Sequence, residues 1–462
     1  MSHDVLVIGA GPAGSVVAGR LAAAGARVAL VGAATRAGWE GLSRRSLALL
    51  AEEGLDGVPG IIDGPFPRNG AWGGRRVEGL EWLVERRALA AALRCRARAA
   101  GVDDRRDTVT SLQWEGGQWR GFLHTGGSLA APQVIEARGR RGPERRGPLL
   151  LAVGRQFRMR FRAAPVQPGT HIHAIDFGWC WWAARADALW VQVVGRPRAL
   201  LGPSAGAGAP VTHAAARRPT AWIEAAASQI PALARALASS QPDGDLVARP
   251  AHARLGCHDR LNPSLEWRDA TRWRVGDAAL ALDPLSGQGV YEALRGARLV
   301  ATAVQSVMRG GDAAPAHRFV AERQAESWAN GVRIAGGFYR ENAARGAFWL
   351  ETATAYERLL PSALSAQEPA APRVERRPVL CGDRILERDV IVTPQHPRGV
   401  WHVADVPLVS LKGYLESAEH ATVSGAAAAV GRPAAAVASA IHWLQQTGIL
   451  ARQVRPAVPL GG

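Results

Sequence analysis

Short apolar runs that end at glycine characterise the beginning of the chain. Val5 to Ile8 form one such run and Arg27 to Val31 hold another, which is typical of buried parallel strands. Between them, the small residues from Pro12 to Ala24 predict a helix. The chain therefore opens on a strand–helix–strand unit of the Rossmann type.

Later stretches mix helical and strand patterns. Apolar and polar positions alternate from residue 155 to about 194, which predicts an antiparallel sheet. A weaker alternation over 106–124 predicts a hairpin, and strands are expected within 72–84 and 133–137. Helices are predicted over 42–50, 87–99, 222–238, 291–308 and 319–356.

This order of elements predicts an α/β fold with several domains. The expected domains are a discontinuous nucleotide-binding domain over 1–154 and 265–310, a substrate domain with the antiparallel sheet over 155–264, a helical segment over 311–365 and a small, mainly helical domain over 374–455. Residues 361–373 are rich in Pro, Ala and Ser and are interpreted as a linker.

The small domain at the end of the chain allows two interpretations. Its candidate helices, followed by a glycine stop at Gly448, resemble a winged helix, and such a fold commonly binds DNA. Basic side chains are few there, however, and Glu416 and Glu419 lie among the candidate helices. Docking of a partner polypeptide is therefore preferred, and no stable nucleic-acid complex is expected. The helices are expected at 408–416, 423–430 and 437–446.

Composition adds a strong positive charge. The 462 residues carry a net charge of +16, and Lys412 is the only lysine. A basic surface favours an acidic partner, a phosphate or a nucleic acid. Its densest stretch runs from Arg138 to Arg162, which is interpreted first as a solvated face, with an acidic partner or a nicotinamide phosphate as alternatives.

Cysteine usage and hydropathy indicate the compartment. The cysteines lie far apart without metal-ligand spacing, so we expect reduced thiols and no metal site. The sequence has no run of 18 apolar residues and no signal-peptide pattern, which predicts a cytoplasmic protein without a membrane span. The cysteines are Cys95, Cys180, Cys257 and Cys381.

The strongest chemical signal lies between the first strand and the first helix. Gly9 allows a sharp turn, Gly11 lets the backbone approach a pyrophosphate, and Gly14 lets the helix pack closely. Pro12 and Ala13 complete the motif, and the helix N-terminus favours the phosphates. Dinucleotide binding is therefore predicted. Gly32 stands where an acidic residue usually binds the ribose, so another group holds the ribose or the cofactor is exchangeable.

A second signal spans residues 275–289. It predicts a strand that ends at a carboxylate, a tight loop and a helix start. Asp277 can accept hydrogen bonds from ribityl hydroxyls, and the loop amides can face the pyrimidine edge of a flavin. The loop residues assigned to this role are Pro284, Ser286, Gly287, Gln288 and Gly289.

Together, these two motifs resemble those of the group A flavoprotein monooxygenases, whose relatives include flavin halogenases and geranylgeranyl reductases. The resemblance covers roughly residues 1–350 and implies a fold like that of p-hydroxybenzoate hydroxylase, with FAD extended across the nucleotide domain. It implies flavin contacts for Glu40 and Arg44, in the loop that passes the isoalloxazine ring, and for Arg86, which opens a helix. Arg138 stands where the family more often has Asp or Thr.

Within this superfamily, the added small domain and the sequence Asp283 to Gly289 resemble the flavoproteins that mature tryptophylquinone cofactors, the QhpG and LodB group. That resemblance implies FAD, NADH or NADPH as electron donor and O2 as co-substrate. It also implies hydroxylation of a tryptophan in a small partner polypeptide, an amine dehydrogenase subunit, on the way to a cysteine tryptophylquinone. Halogenation is disfavoured because halogenases need a lysine near the substrate, and Lys412 lies beyond the flavin motifs.

Catalytic residues are harder to assign from the pattern. His173, Trp181 and Arg44 are the candidates. His173 and His171 face the same side of a strand, where a structural role is the alternative. Tryptophans of the sheet either line a pocket over the flavin or pack in the core; they are Trp179, Trp181, Trp182 and Trp190.

Other functions stay open at this point. A small-molecule aromatic hydroxylase needs the same flavin motifs. A geranylgeranyl-type reductase needs a long apolar tunnel, whereas residues 155–195 carry many arginines. A flavin-binding DNA regulator is supported mainly by the high pI of about 11.1.

Overall fold

The computed structural model describes residues 2–56, 58, 60–140, 149–159, 167–196, 219–255, 271–360 and 371–450. Cys257, part of the basic stretch between Arg138 and Arg162, and most of the predicted linker lie outside these residues. The described chain forms two compact units. The first comprises Met1–Thr302 and Val320–Pro361, and the second Ala303–Phe319 and Ser362–Gly462.

The first unit begins with the predicted strand–helix–strand order and continues with further strands and helices. Its strands are β1 (Val5–Ile8), β2 (Val28–Val31), β3 (Trp39–Leu42), β4 (Ile62–Trp72), β5 (Arg75–Glu85), β6 (Asp103–Arg105), β7 (Val109–Glu115), β8 (Gln118–Leu123), β9 (Ser128–Ala131), β10 (Gln133–Glu136), β11 (Leu151–Met159), β12 (Gly169–Ile175), β13 (Gly178–Ala184), β14 (Ala188–Gly195), β15 (Ser240–Pro250), β16 (Arg254–Leu255), β17 (Arg272–Arg274) and β18 (Leu280–Ala281). Its helices are α1 (Pro12–Ala23), α2 (Arg44–Glu52), α3 (Arg86–Ala99), α4 (Pro219–Gln229), α5 (Pro231–Ala238), the first part of α6 (Gly289–Met308), the second part of α7 (Ala313–Glu341), and α8 (Ala347–Leu359).

A parallel sheet forms the nucleotide-binding layer. Its strand order is β17-β10-β1-β2-β6, and every neighbouring pair is parallel. The strands β1 and β2 are buried along their whole length, which explains why their sequences are continuous apolar runs rather than alternating ones. Helix α1 returns the chain between them, so the turn after β1 lies at the carboxyl end of the sheet, where ligands bind in such folds.

A mixed sheet forms the second layer of this unit. Its strand order is β15-β11-β14-β13-β12-β4-β5-β3, with β12 and β4 parallel and all other neighbouring pairs antiparallel. The predicted antiparallel sheet corresponds to β11 to β14. Strands β3, β4 and β5 extend it with residues that the sequence pattern assigned to the nucleotide-binding domain.

Proline and glycine account for several differences from the predicted elements. Strand β4 contains Gly64, Pro65 and Pro67, residues that are depleted in strands and that hid it from the pattern. The helix predicted over 222–238 is two helices, because Pro231 forces the preceding residue into an extended conformation. The helix predicted over 319–356 is interrupted by Gly346, whose φ is +145°.

The second unit combines a hairpin with a helical core. Its elements are β19 (Arg373–Cys381), β20 (Arg384–Val392), β21 (His402–Val403), β22 (Val406–Pro407), α9 (Leu408–Ser417), α10 (Val423–Val430) and α11 (Ala434–Gln446). The helices agree closely with the expected ones. Leu411, Leu415, Val437 and Leu444 form their buried contacts. The β19–β20 hairpin was not predicted, because charged residues interrupt its apolar positions.

Three further features concern membrane spans, metal sites and cysteines. Among the described helices, none is long and apolar enough to cross a membrane. In the same residues, no cluster of His, Cys, Asp and Glu side chains is arranged to hold a metal ion. Cys95, Cys180 and Cys381 are free thiols.

Candidate active site

The turn between β1 and α1 has no room for side chains at two of its glycines. A Cβ on Gly9 would lie 2.4 Å from the backbone of Ala137, and a Cβ on Gly14 would lie 1.8 Å from the Gly9 oxygen. At Gly11, in contrast, a Cβ would have no atom within 4 Å. Pro12 begins a helix whose first turn has no acidic residue. An anion can therefore approach Gly11 and the helix N-terminus.

The second motif folds as two short 3-10 turns followed by α6. Gly276 has φ +60°, and a Cβ there would lie 2.8 Å from the Cβ of Ala13, so this turn packs against the start of α1. Asp277 lies in the first turn, and Gly287 ends the second turn with φ +64°. Helix α6 then begins at Gly289. The two motifs, far apart in the sequence, thus meet in the fold.

A cavity of about 1020 Å³ lies between these motifs. Pockets for small ligands measure about 300–1,000 Å³, so this one suits an extended dinucleotide. Gly14 lies beneath the turn, but the other residues predicted to bind the cofactor reach the cavity. They are Gly9, Gly11, Pro12, Ala13, Glu40, Arg44, Arg86, Asp277, Pro284, Ser286, Gly287, Gln288 and Gly289. The residues present therefore fit FAD.

Gly32 directly follows β2, at the position where an acidic residue is usual. A Cβ on Gly32 would lie 2.3 Å from the amide nitrogen of Ala10, so a side chain does not fit there without backbone movement. The Gly32 carbonyl accepts a 3.0 Å hydrogen bond from Arg94 Nη1, and Arg94 Nε donates to Asp104 at 2.6 Å. The absence of the acid is therefore explained by the close approach of two backbone segments. Thr35, further along, lines the cavity and offers a hydroxyl.

Arg140 holds several loops of the site together. Its Nε donates to Asp277 at 3.1 Å, and its Nη2 donates to the carbonyl of Leu282 at 2.6 Å. Its Nη1 reaches the carbonyls of Pro250 and His252 at 3.1 and 2.9 Å. The side chain is only 15% exposed. The interpretation of the basic stretch as a solvated face is therefore wrong for Arg140, because all its nitrogens have partners inside the fold.

The buried carboxyl group of Asp283 connects the second 3-10 turn to two helices through hydrogen bonds. Asp283 Oδ1 accepts a 2.8 Å hydrogen bond from the amide of Leu285, and Oδ2 accepts from the hydroxyls of Tyr339, at 3.0 Å, and Tyr356. The Tyr339 hydroxyl in turn accepts from the indole nitrogen of Trp179 at 3.0 Å. Burial raises the pKa of Asp283 from 3.8 to about 6 and raises the pKa values of both tyrosines well above 10. Helices α7 and α8 thus fix the loop and one wall of the cavity.

The predicted flavin contacts on β3 and α3 meet in space. Arg86 Nε lies 2.9 Å from Glu40 Oε1, and Arg249 lies 3.6 Å from the same oxygen. Arg249 also donates to Gln192 at 3.2 Å. All four side chains line the cavity, as does Arg44 at the start of α2. Arg249 and Gln192 were missed because nothing in the sequence of β14 or β15 distinguishes them from ordinary strand residues.

Aromatic side chains of the mixed sheet form one wall. Trp179 and Trp181 line the cavity together with Ile172, whereas Trp182 and Trp190 do not. Successive side chains of a strand point to opposite faces, which places Trp179 and Trp181 on one face of β13 and Trp182 on the other. The pocket-lining interpretation therefore holds geometrically for two of these tryptophans, and the core interpretation holds for the other two.

The histidine pair lies away from the cavity. His171 and His173 flank Ile172 on β12, so they point to the face opposite the one that Ile172 presents to the cavity. The His171 ring stacks on Trp182 at 3.7 Å and on His173 at 6.3 Å. Burial, with the neighbouring His173, lowers the pKa of His171 to about 4, and burial lowers the pKa of His173. Both imidazoles are therefore neutral packing groups at neutral pH.

Solved structures of other proteins resemble this chain over most of its length. No protein-family model and no curated protein sequence matches the chain. Among solved structures, QhpG, a peptidyl tryptophan dihydroxylase essential for tryptophylquinone cofactor biogenesis, is 27% identical, with a TM-score of 0.75 over 97% of this chain and 100% of QhpG. The flavin-dependent halogenase CmlS is 16% identical, with a TM-score of 0.64 over 97% of this chain and 95% of CmlS.

A third solved structure has a similar fold. A geranylgeranyl bacteriochlorophyll reductase-like protein from Thermoplasma acidophilum is 16% identical, with a TM-score of 0.57 over 78% of this chain and 90% of that protein. This chain is a flavin-dependent oxidoreductase. Its fold is that of the group A flavoprotein monooxygenases, and the predicted fold class and the FAD cofactor are confirmed.

Several finer predictions about this flavoenzyme stay predictions. They are the domain boundaries, the individual FAD contacts, and the catalytic candidates Arg44, His173 and Trp181. The geometry brings Arg44 and Trp181 to the cavity and leaves His173 outside its lining, within the part of the chain that the structure describes.

Proposed function

We propose that this flavoenzyme is an FAD-dependent monooxygenase that hydroxylates the indole ring of a tryptophan in a partner polypeptide. The partner would be a small amine dehydrogenase subunit on the way to a cysteine tryptophylquinone. The observation that carries the proposal is the similarity to QhpG over 97% of this chain and 100% of that one, which includes the unit beyond the flavin motifs. We place the reaction in the cytoplasm, in keeping with free thiols at Cys95, Cys180 and Cys381.

The reaction balances with a nicotinamide donor and oxygen. One peptidyl tryptophan, O2, NADH or NADPH and a proton give one hydroxylated tryptophan, water and the oxidised nicotinamide. Bound FAD supplies the transfer of electrons to O2 and the electrophilic oxygen that results. The indole ring is electron-rich and therefore a suitable acceptor of that oxygen.

The chain's own residues bind, orient and exclude water. The β1–α1 turn with Gly11 and the start of α1 would hold the cofactor's diphosphate, and Asp277 would accept hydrogen bonds from its hydroxyls. The apolar wall of Ile172, Trp179 and Trp181 would face the substrate ring and keep water away from the reacting atoms.

The proposal is tested by mass spectrometry of the partner. The small subunit of a tryptophylquinone amine dehydrogenase is co-expressed with the flavoenzyme, or with a Gly11→Glu variant that obstructs the open space beside the turn. We expect a mass gain of about 16 or 32 Da, for one or two oxygen atoms, with the native enzyme alone. An unchanged mass with FAD bound and reducible would contradict the proposal and favour a small aromatic substrate.

A further inference from the structure

Glu81 places a carboxylate on the sheet side of the cavity. It lies on β5, lines the cavity, and its side chain is 13% exposed. The indole nitrogen of Trp181 donates to Glu81 Oε2 at 3.3 Å. Arg68 Nη1 lies 3.8 Å from Oε1, too far for a direct hydrogen bond. The sequence pattern did not single out this residue.

The same carboxylate contacts β3, which begins the segment that is predicted to pass the flavin ring. A Cβ on Gly41 would lie 2.3 Å from Glu81 Oε1, so the carboxylate packs directly against the backbone of β3. Gly41 and its neighbours Glu40 and Leu42 also line the cavity. Glu81 thus lies between the predicted flavin side of the cavity and its tryptophan wall. A substrate ring bound between these two sides would lie close to this side chain.

Hydrogen-bonding capacity remains on Glu81. A carboxylate offers two oxygens with about four lone-pair sites, and Trp181 uses one of them. An indole N–H is a donor only, and burying it without an acceptor is unfavourable. The contact with Trp181 demonstrates that this carboxylate can accept an indole N–H inside the cavity.

Building on the proposed function, we propose that Glu81 is a substrate-binding residue that accepts the hydrogen bond of the target tryptophan's indole N–H. The hydrogen bond orients the ring against the apolar wall of Ile172, Trp179 and Trp181. It also draws electron density from the N–H bond towards the ring, which favours attack by an electrophilic oxygen. Substrates without a ring N–H are discriminated against for the same reason.

The test uses the proposed small subunit in two forms, with tryptophan or with 1-methyltryptophan at the target position. Each form is given to the native enzyme and to Glu81→Gln, Glu81→Leu and Glu78→Leu variants. Glu78 is the matched control, because it lies on the same strand but is 62% exposed and outside the cavity lining. Oxygenation rates, and binding by fluorescence anisotropy of the labelled subunit, are measured on FAD-loaded protein.

We expect the native enzyme to prefer tryptophan over 1-methyltryptophan by about 10- to 100-fold in kcat/KM, the value of one hydrogen bond to a charged group. Glu81→Leu should lower kcat/KM for the tryptophan subunit by a similar factor, and the ratio of kcat/KM between tryptophan and 1-methyltryptophan should fall towards 1. Glu81→Gln should keep part of the preference because its amide oxygen accepts, and Glu78→Leu should behave as the native enzyme. Glu81→Gln also serves as a control that separates the loss of the hydrogen bond from a folding defect in the leucine variant.

Two other outcomes separate this inference from the proposed function. If the native enzyme oxygenates the tryptophan subunit but Glu81→Leu keeps the native preference, Glu81 does not bind the indole N–H, although the function stands. If the native enzyme oxygenates neither form, the proposed function fails and the assignment of Glu81 falls with it.

Discussion

The buried carboxyl of Asp283 makes the stability of this enzyme depend on pH in a defined direction. Burial raises its pKa from 3.8 to about 6. Between these values the folded chain holds a proton that the unfolded chain has released, so stability falls as pH rises from about 4 to about 6. At about 1.36 kcal/mol for each pKa unit, this rise corresponds to about 3 kcal/mol. The groups that face the carboxyl are Tyr339, Tyr356 and Arg140.

Asp283→Asn removes this pH dependence, because asparagine is neutral at every pH, but it also takes the acceptor away from the hydroxyls of Tyr339 and Tyr356. Urea unfolding of the cofactor-free protein should show that the free energy of unfolding of the variant, relative to that of the native chain, rises by about 2 kcal/mol from about pH 4.5 to about pH 8, because the cost of the lost hydrogen bonds is the same at both pH values. Asp243→Asn is the matched control, since Asp243 is 37% exposed, and should change little. The same difference between the variant and the native chain at both pH values would contradict this expectation.

Four further substitutions test the cofactor-binding turn and the loops around the cavity. Gly14→Ala should weaken FAD binding and should also destabilise the cofactor-free chain by about 1–3 kcal/mol, because the added methyl group overpacks the turn. Gly11→Ala should weaken FAD binding alone. FAD titration measures the first effect and urea unfolding the second. Gly32→Glu should not tighten FAD binding, because its Cβ meets backbone at 2.3 Å; titration beside an Ala33→Glu control would check this. Arg140→Met should lower the free energy of unfolding by about 1.5–3 kcal/mol, because it removes the hydrogen bonds that Arg140 donates to Asp277 and to three carbonyls. Urea unfolding measures this loss.

The parts of the site that the sequence predicts are those fixed by local chemistry. The positive φ of Gly9, the open space beside Gly11 and the contact of Gly14 with the Gly9 oxygen all belong to the turn, and Asp277 follows from a strand that ends at a carboxylate. These requirements recur wherever a dinucleotide meets a helix start, so spacing alone reveals them. The helices of the second unit could equally be predicted from the sequence, since their apolar positions repeat with helical periodicity.

The parts that escaped prediction depend on contacts between distant segments. Asp283 is supported by Tyr339 and Tyr356, and no pattern relates these positions before the helices are packed. Arg140 is one arginine among many in the sequence, and its role emerges only from the carbonyls around it. Alternation did predict that His171 and His173 share a face, but which face meets the cavity is decided by the packing of the whole sheet.

The proposed reaction places oxygen from O2 on a tryptophan ring of a partner polypeptide. The most direct measurement is tandem mass spectrometry of the small amine dehydrogenase subunit after incubation with FAD-loaded enzyme, nicotinamide donor and ¹⁸O2. We expect each added oxygen to contribute about 18 Da and fragment ions to localise it to the target indole. Addition of about 16 Da under the same gas, or label on another residue, would contradict it.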